Sequence, residues 1–246
     1  SKYLKNLNYE VDFIKSKNDF RNYNLIIKFM GIDYDKFISN QIVIHDYASV
    51  STYPFPKIKN KIKKLVNNKP NGRIFLNETV KSEMNFNDNL PYIYRDMGID
   101  KNFFNLPQMP KIFDIIYSGS FKNRLGLIKR IEVLAKKDLN IALIGNISNK
   151  QIKLISKFSN IKIFGVLPRH NIYEIYAQSK IGLNFYPNIY PFNFQTSTKV
   201  MEYMASGLGI LSNSYKWINH FEKKNDSKFL YYNECLSKDQ ILNFNY

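Results

Sequence analysis

Short apolar runs alternate with amphipathic segments from residue 113 onward, and this alternation constrains the fold more than any other feature of the sequence. The apolar runs predict strands: "FDIIYSGSF", "NIALIG", "IKIFG", "IGLNFYP" and "GILSN". The segments between them predict helices: "RLGLIKRIEVLAKK", "NKQIKLISKFS", "NIYEIYAQS" and "KVMEYMAS". Strands that alternate with helices of about ten residues favour an α/β fold, in which helices cover both faces of a parallel sheet.

The first hundred residues follow the same pattern less regularly. Candidate strands are "EVDFIK", "NLIIKFM", "QIVIHDYAS", "GRIFLN" and "PYIYRDM", and "KIKNKIKKLV" is the clearest helix. Two prolines in "NLPQMPK", residues 105–111, interrupt regular structure and indicate a junction. We therefore predict two α/β domains, residues 1–108 and 109–246. The chain opens with the predicted helix "SKYLKNL" and ends at "SKDQILNFNY", where a closing helix would begin, so the domains are expected to be minimal or to lack flanking pieces.

Composition limits the classes of function. A net charge of +16 favours an anionic partner such as nucleic acid, a phosphorylated ligand or an acidic membrane surface, although a general Lys, Asn and Ile bias explains it equally well. No run of about 18 uncharged apolar residues predicts a spanning helix, and the first residues do not resemble a signal peptide. The single cysteine, Cys235, excludes an internal disulfide and fits a reducing cytoplasm.

Three turns at predicted strand ends carry residues suited to ligand binding. In "SGSFKNRLG", Gly119 allows a tight turn and Ser120 is small, so backbone can approach a ligand, while Lys122 and Arg124 can neutralise a diphosphate. The alternative is an ordinary turn with solvated cations. The sequence has no GxGxxG motif or P-loop, so no standard nucleotide fingerprint is present.

The second turn opens "TSTKVMEYMASGLGILSNS", in which Ser197 or Thr198 is suited to cap the helix. Glu202 lies four residues after Thr198 on the same helical face, where its carboxylate could accept two hydrogen bonds from a vicinal diol. The alternative is that Glu202 only offsets nearby lysines. The side chains expected to pack inward are Val200, Met201, Met204 and Ala205.

The third turn is "IHDYAS", in which His45 and Asp46 end an apolar strand. A histidine and an aspartate there could orient a sugar hydroxyl or transfer a proton, and the alternative is a buried structural histidine. His170 and His220 lie far apart without metal-ligand spacing, so we predict no metal site.

Taken together, "IIYSGSF", "IALIG", "IKIFGVLPRHNIYEIYAQSKIGLNFYP" and "TSTKVMEYMASGLGILSN" resemble the nucleotide-binding half of GT-B-fold glycosyltransferases, closest to the retaining family 4 type. The segments "VIHD" and "YIYRDMGIDKNFF" resemble parts of the acceptor domain. The resemblance implies two Rossmann-like domains with a cleft between them, and the family's N-terminal strand and C-terminal crossing helix have no counterpart here. It also implies transfer of a sugar from a nucleoside-diphosphate sugar, without a metal or other cofactor.

The resemblance assigns roles to residues of this chain. Glu202 matches the glutamate that binds the donor ribose, and His45, beside Asp46, lies where the family places a histidine near the transferred sugar. Phe194 stands where many members carry a second glutamate that contacts the donor sugar. The remaining donor-binding residues implied are Gly119, Ser120, Lys122, Arg124, Gly145, Val166, Leu167, Thr196, Ser197, Thr198 and Lys199.

These observations predict a hexosyltransferase-like enzyme of surface polysaccharide synthesis, building capsule or lipopolysaccharide on a glycan or lipid-linked acceptor. We expect it in the cytoplasm, bound peripherally to an acidic inner membrane face through "YPFPKIKNKIKKLVNN", for which a solvated helix is the alternative. A different hypothesis is a non-catalytic GT-B-like subunit that binds a partner protein. Nucleic-acid binding is disfavoured because no recognition motif is visible.

Overall fold

The computed structural model describes residues 2–14, 20, 22–33, 35, 40–52, 54–122 and 124–246, with the backbone alone for residues 2 and 3. The chain divides into two compact units, Ser1–Asp96 and Met97–Tyr246, called unit 1 and unit 2 below. Each unit contains a parallel β-sheet accompanied by helices, which confirms the predicted α/β class. The described part of the chain contains no helix both long and apolar enough to cross a membrane.

Unit 1 contains a four-stranded parallel sheet in the order β1-β2-β3-β4. Its elements are α1 (Lys2–Asn6), β1 (Leu25–Phe29), β2 (Ile42–Tyr47), α2 (Pro56–Val66), β3 (Gly72–Phe75), α3 (Glu78–Met84) and β4 (Tyr92–Tyr94). The predicted strand "EVDFIK" is wrong for its described residues, since 10–14 have no regular structure, and its residue 15 lies outside the described residues. The other four strands and the α2 helix are confirmed.

The two faces of the unit 1 sheet differ in burial. Ile26, Val43, Tyr47 and Phe75 are buried on one face, together with Val80 and Met84 of α3. On the opposite face most apolar side chains are exposed, namely Leu25, Ile27, Phe29, Ile42 and Ile93. Parallel sheets are usually covered on both faces, so this apolar face is unusual.

Unit 2 contains a six-stranded parallel sheet in the order β10-β9-β8-β5-β6-β7. Its strands are β5 (Phe113–Ser118), β6 (Ile141–Ile144), β7 (Ile161–Gly165), β8 (Ser179–Asn184), β9 (Gly209–Ser212) and β10 (Leu230–Tyr231). Its helices are a 3-10 turn (Lys101–Phe104), α4 (Leu127–Ala135), α5 (Asn149–Ile155), α6 (Arg169–Ala177), a second 3-10 turn (Phe192–Phe194), α7 (Thr198–Ala205), α8 (Lys216–Lys224) and α9 (Lys238–Leu242). All five predicted strands are present.

The unit 2 sheet is covered on both faces, as the sequence predicted. Residues of α4, α5 and α9 belong to one hydrophobic cluster, and residues of α6, α7 and α8 belong to the other. From β5 the chain proceeds to β6 and β7 on one side of the sheet, and then crosses to β8 on the other side. The strand order therefore reverses between β5 and β8. In open α/β sheets, ligands bind at the carboxyl ends of the strands where the order reverses.

Candidate functional site

A buried hydrogen-bond network fixes the start of α7 beside the ends of β8 and β9. Asn184, the last residue of β8, accepts a hydrogen bond from Ser197 Oγ at 2.9 Å. The Asn184 amide donates to Ser212 Oγ at 2.8 Å and to Tyr215 Oη at 3.2 Å. Ser197 is the N-cap, since its Oγ also accepts from the backbone N–H of Val200. The free N–H groups of α7 are thereby held at the edge of the sheet where a ligand is expected.

Lys199, in the first turn of α7, is a buried cation without a carboxylate partner. Its side chain is about 9% exposed, and its Nζ lies 4.7 Å from the ring centroid of Tyr186 and 5.6 Å from that of Tyr117. Within the described ranges no carboxylate lies at salt-bridge distance from it. Burial, with a further contribution from the Arg124 charge, lowers the pKa of Lys199 to about 7. A buried, unpaired ammonium is costly unless an anion joins it.

Arg124 also lies against the Tyr186 ring. Its guanidinium carbon is 4.1 Å from the Tyr186 ring centroid and 5.5 Å from that of Phe192. Arg124 Nε is buried and has no hydrogen-bond partner in the part of the chain that is described, and the same holds for Thr196 Oγ1. Two cations and a buried hydroxyl are therefore available to an anion near the start of α7.

The β5 and β6 ends are shaped by two glycines with positive φ. Gly119 and Gly145 both have φ near +140°, and a Cβ at Gly145 would overlap the carbonyl oxygen of Gly119. A Cβ at Gly119 would lie 3.3 Å from Lys199 Cδ. The absence of side chains at these positions therefore lets the two strands and the Lys199 side chain approach closely.

Glu202 lies one turn after Thr198 and already has a cationic partner. Its Oε1 is 3.2 Å from Nη2 of Arg169, and its Oε2 accepts a hydrogen bond of 3.4 Å from the Tyr176 hydroxyl. Burial raises the pKa of Glu202, and the Arg169 charge opposes that shift. Its side chain remains about 17% exposed. The sequence did not indicate this partner, an arginine 33 residues away.

Sequence reasoning did not identify Arg169. It is the first residue of α6, and it also lies 3.7 Å from Asp100. A cation is unfavourable at the start of a helix because it faces the positive end of the helix dipole. The predicted helix "NIYEIYAQS" began two residues later, at Asn171, so the sequence pattern gave no sign of this arginine at the helix start.

Three further predicted donor residues follow strands at the same edge of the sheet: Lys122 follows β5, and Val166 and Leu167 follow β7. Lys122 is exposed, and its backbone N–H donates to Ser120 Oγ at 3.2 Å. Val166 is 74% exposed and Leu167 packs against the second hydrophobic cluster. Both follow β7, two strands from β5, which corresponds to about 10 Å across the sheet.

In unit 1, His45 and Asp46 lie next to each other near the end of β2, and both are buried. His45 Nε2 is 3.3 Å from Asp33 Oδ2, and Lys28 is paired with Asp33. Asp46 is paired with Arg95. Successive strand residues face opposite sides of a sheet, so His45 and Asp46 do not act as a contacting pair.

The electrostatic environment of His45 favours the neutral imidazole. Burial is the main cause, and together with the charges of Lys28 and Arg73 it lowers the pKa of His45 to about 4 although Asp33 opposes the shift. Sequence reasoning missed Asp33 and Arg95, because neither is near β2 in sequence. A catalytic role for His45 and Asp46 stays a prediction. Within the described residues, no group of three or more His, Cys, Asp or Glu could hold a metal ion.

This chain matches known proteins in structure but not in sequence. No family model and no curated protein matches the sequence. Among solved structures, it resembles AviGT4, a glycosyltransferase involved in avilamycin A biosynthesis, at 11% identity and a TM-score of 0.61 over 92% of this chain and 66% of that one. Anabaena Alr3699/HepE in complex with UDP and glucose matches at 13% identity and a TM-score of 0.62, over 83% of this chain and 62% of that one. The chain has a GT-B fold.

A third GT-B neighbour is sucrose-phosphate synthase from Thermosynechococcus elongatus, at 14% identity and a TM-score of 0.59, over 87% of this chain and 62% of that one. The chain thus spans less than two thirds of the length of each of these three structures. The GT-B fold confirms the predicted pair of Rossmann-like domains. The predicted cleft and the predicted domain boundary at residues 108 and 109 stay predictions.

Proposed function

We propose that this chain is a glycosyltransferase that binds a nucleoside-diphosphate sugar at unit 2 and transfers the sugar to an acceptor. The proposal rests on two cations, Lys199 and Arg124, which both lie against the ring of Tyr186 beside the start of α7. Neither has a carboxylate partner in the described ranges. A diphosphate supplies the negative charge that these groups lack.

The same residues suit the chemistry of sugar transfer. When the sugar leaves, negative charge develops on the diphosphate, and Lys199, Arg124 and the N–H groups of α7 can stabilise it without a metal. Glu202 would accept hydrogen bonds from the two ribose hydroxyls. Because Arg169 is paired with this carboxylate, Arg169 must share the carboxylate with the ribose or release it. The backbone of Val166 and Leu167 would meet the base. In unit 1, His45 would act near the transferred sugar.

Retention of anomeric configuration, membership in family 4 and a role in capsule or lipopolysaccharide synthesis rest on the sequence resemblance. We propose a glycan or lipid-linked acceptor on the same basis. We propose the cytoplasm as the compartment, because a chain with a single cysteine, Cys235, fits a reducing environment.

A thermal-shift titration of the full chain with UDP, GDP, ADP and TDP tests the donor site. At least one nucleotide should raise the melting temperature by about 5 °C at concentrations near 100 times its Kd. Glu202→Ala should abolish that shift, because the ribose contacts are lost. The matched control is Glu174→Ala, an exposed glutamate of α6, which should keep the shift. If no nucleotide changes the melting temperature, the donor site does not exist.

Helix α2 supports the proposal of peripheral membrane binding. Its exposed apolar side chains are Ile58, Ile62 and Leu65, and Phe55 just before it is also exposed. The exposed lysines Lys57, Lys59 and Lys61 lie on the same helix. An amphipathic basic helix of this kind binds acidic headgroups.

Vesicle sedimentation checks this proposal. At low salt the protein should pellet with vesicles containing phosphatidylglycerol and stay in solution with phosphatidylcholine alone. Ile62→Glu should reduce the bound fraction about tenfold, because a charge must then enter the apolar interface, whereas Leu154→Glu on the exposed face of α5 should not. Equal binding to both kinds of vesicle would argue against the acidic-membrane interaction.

A second candidate is a non-catalytic GT-B-like subunit that binds a partner protein. The exposed apolar face of the unit 1 sheet favours it, because faces of this kind mark interaction sites. Turnover of a labelled nucleotide sugar, measured against hydrolysis, separates the candidates: the enzyme transfers sugar to an acceptor, whereas the subunit alone does not.

A further inference from the structure

A third cation lies beside the proposed donor site. The 3-10 turn Phe192–Phe194 has Arg124 against the ring of Phe192, and Lys216 Nζ lies 4.7 Å from the ring centroid of Phe194. Lys216 is the exposed first residue of α8. It has no carboxylate at salt-bridge distance within the residues that the structure describes. The turn thus has one unpaired cation on each of two neighbouring rings.

The order in which ribose, diphosphate and sugar are bonded in the proposed donor determines which of them lies near Lys216. In a nucleoside-diphosphate sugar, the diphosphate separates the ribose from the transferred sugar. Glu202, the proposed ribose ligand, lies one turn into α7, and the diphosphate is assigned to Lys199, Arg124 and the helix start. Arg124, which is assigned to the diphosphate, packs against Phe192, and Phe194 lies in the same 3-10 turn with Lys216 against its ring. The sugar that is bonded to the diphosphate therefore lies beside this turn, next to Phe194 and Lys216.

The charges around this turn favour a negatively charged sugar. The segment from residue 179 to residue 201 contains no aspartate or glutamate, so no carboxylate from it repels a negatively charged sugar. The Phe194 ring offers an apolar surface on which a pyranose ring can pack. Asn193 Oδ1 is buried in the same turn and lacks a hydrogen-bond partner among the described residues, so it can accept from a sugar hydroxyl.

Resting on the proposed function, we infer that the transferred sugar is a hexuronic acid whose carboxylate pairs with Lys216. In the transfer step, the bond between C1 of the sugar and the diphosphate oxygen breaks, and its electron pair stays on the diphosphate. The acceptor oxygen forms the new bond to C1, and its proton passes to the leaving diphosphate. The uronate carboxylate is unchanged, so Lys216 determines donor specificity without taking part in bond exchange.

Calorimetric titration of the full chain with UDP, UDP-glucose and UDP-glucuronate tests the inference. If GDP is the nucleotide that binds, then GDP, GDP-mannose and GDP-mannuronate take their place. The wild-type protein should bind the uronate about fivefold more tightly than the neutral sugar, the size expected for a solvent-exposed ion pair. Lys216→Gln should remove that preference without changing affinity for the nucleotide alone, and Lys216→Glu should reverse it. Lys223→Gln, at the other end of α8, is the matched control and should keep the wild-type preference.

The outcomes separate the inference from the proposed function. A nucleotide that binds, with equal affinity for the uronate and the neutral sugar, overturns the inference alone. A loss of affinity in Lys216→Gln that is equal for all three ligands also overturns it, since Lys216 would then act on the diphosphate. If no nucleotide or nucleotide sugar binds, both the proposed function and the inference fail.

Discussion

Replacing Lys199 with methionine is expected to weaken binding of the nucleoside diphosphate about 100-fold and to stabilise the nucleotide-free protein by about 2 kcal/mol. The two effects have opposite signs because the ammonium is buried without a carboxylate partner in the described part of the chain, so it costs free energy until a diphosphate arrives. Methionine keeps most of the side-chain volume against Gly119 and Tyr186 and removes the charge. Calorimetric titration and urea unfolding measure the two effects.

The pH dependence of this variant provides a second test. The pKa of Lys199 is about 7 in the folded protein against an unfolded value of 10.5, so the unfolded chain holds more protons between these pH values. Stability of the nucleotide-free protein should therefore rise with pH across that window. A bound diphosphate favours the charged form, so binding takes up a proton and the affinity should fall as pH rises above 7.

The Lys199→Met protein should show neither the rise in stability with pH nor the fall in affinity above pH 7 that Lys199 causes. The control is Lys153→Met, an exposed lysine of α5 that should change neither affinity nor stability. A Lys199→Met protein that binds the nucleoside diphosphate as tightly as wild type would show that Lys199 is a structural lysine and not a diphosphate ligand.

Replacing Tyr203 with alanine should lower the free energy of unfolding by about 4 kcal/mol. The Tyr203 side chain is fully buried, and its hydroxyl accepts a hydrogen bond of 3.0 Å from the Ser118 backbone N–H. Its ring lies so close to β8 that a Cβ at Gly182 would overlap it. Tyr203 therefore fixes α7 to both β5 and β8, and its loss leaves a cavity between them.

A milder change separates packing from hydrogen bonding in this contact. Tyr203→Phe keeps the ring and leaves the Ser118 N–H without an acceptor, which should cost about 1 to 2 kcal/mol. Met204→Ala, at the next residue, removes a side chain that is 37% exposed and should cost less than about 1 kcal/mol. Urea unfolding of the three variants gives the comparison. A cost for Tyr203→Ala no larger than that for Met204→Ala would contradict the assigned packing.

The strands of unit 2 could be predicted because they are buried on both faces, so their sequences are continuous apolar runs. Strand β10 was missed because two residues carry no periodic signal. The "EVDFIK" segment has strand-like alternation, but its described residues pair with no strand. A residue pattern alone does not show whether a partner strand is available.

The inward face of α7 was only partly predicted. Val200 is buried as expected, but Met204 is exposed and Tyr203 takes the inward position. The Tyr203 hydroxyl accepts its hydrogen bond from a backbone N–H of β5, 85 residues earlier, and the spacing of residues within α7 does not show that partner. The pair of Glu202 with Arg169 is missed for the same reason, since it depends on how α6 packs beside α7.

Hydrogen exchange with the nucleoside diphosphate that stabilises the protein tests the central claim most directly, since it locates the site on the full chain. Bound nucleotide should slow exchange at residues 118–122 and 196–202, the β5 end and the start of α7, and should leave residues 42–47 of β2 unchanged. Arg124→Gln should reduce the protection at both segments. Protection confined to unit 1, or none at the start of α7 when the nucleotide is saturating, would contradict a donor site at the carboxyl ends of β5 and β8.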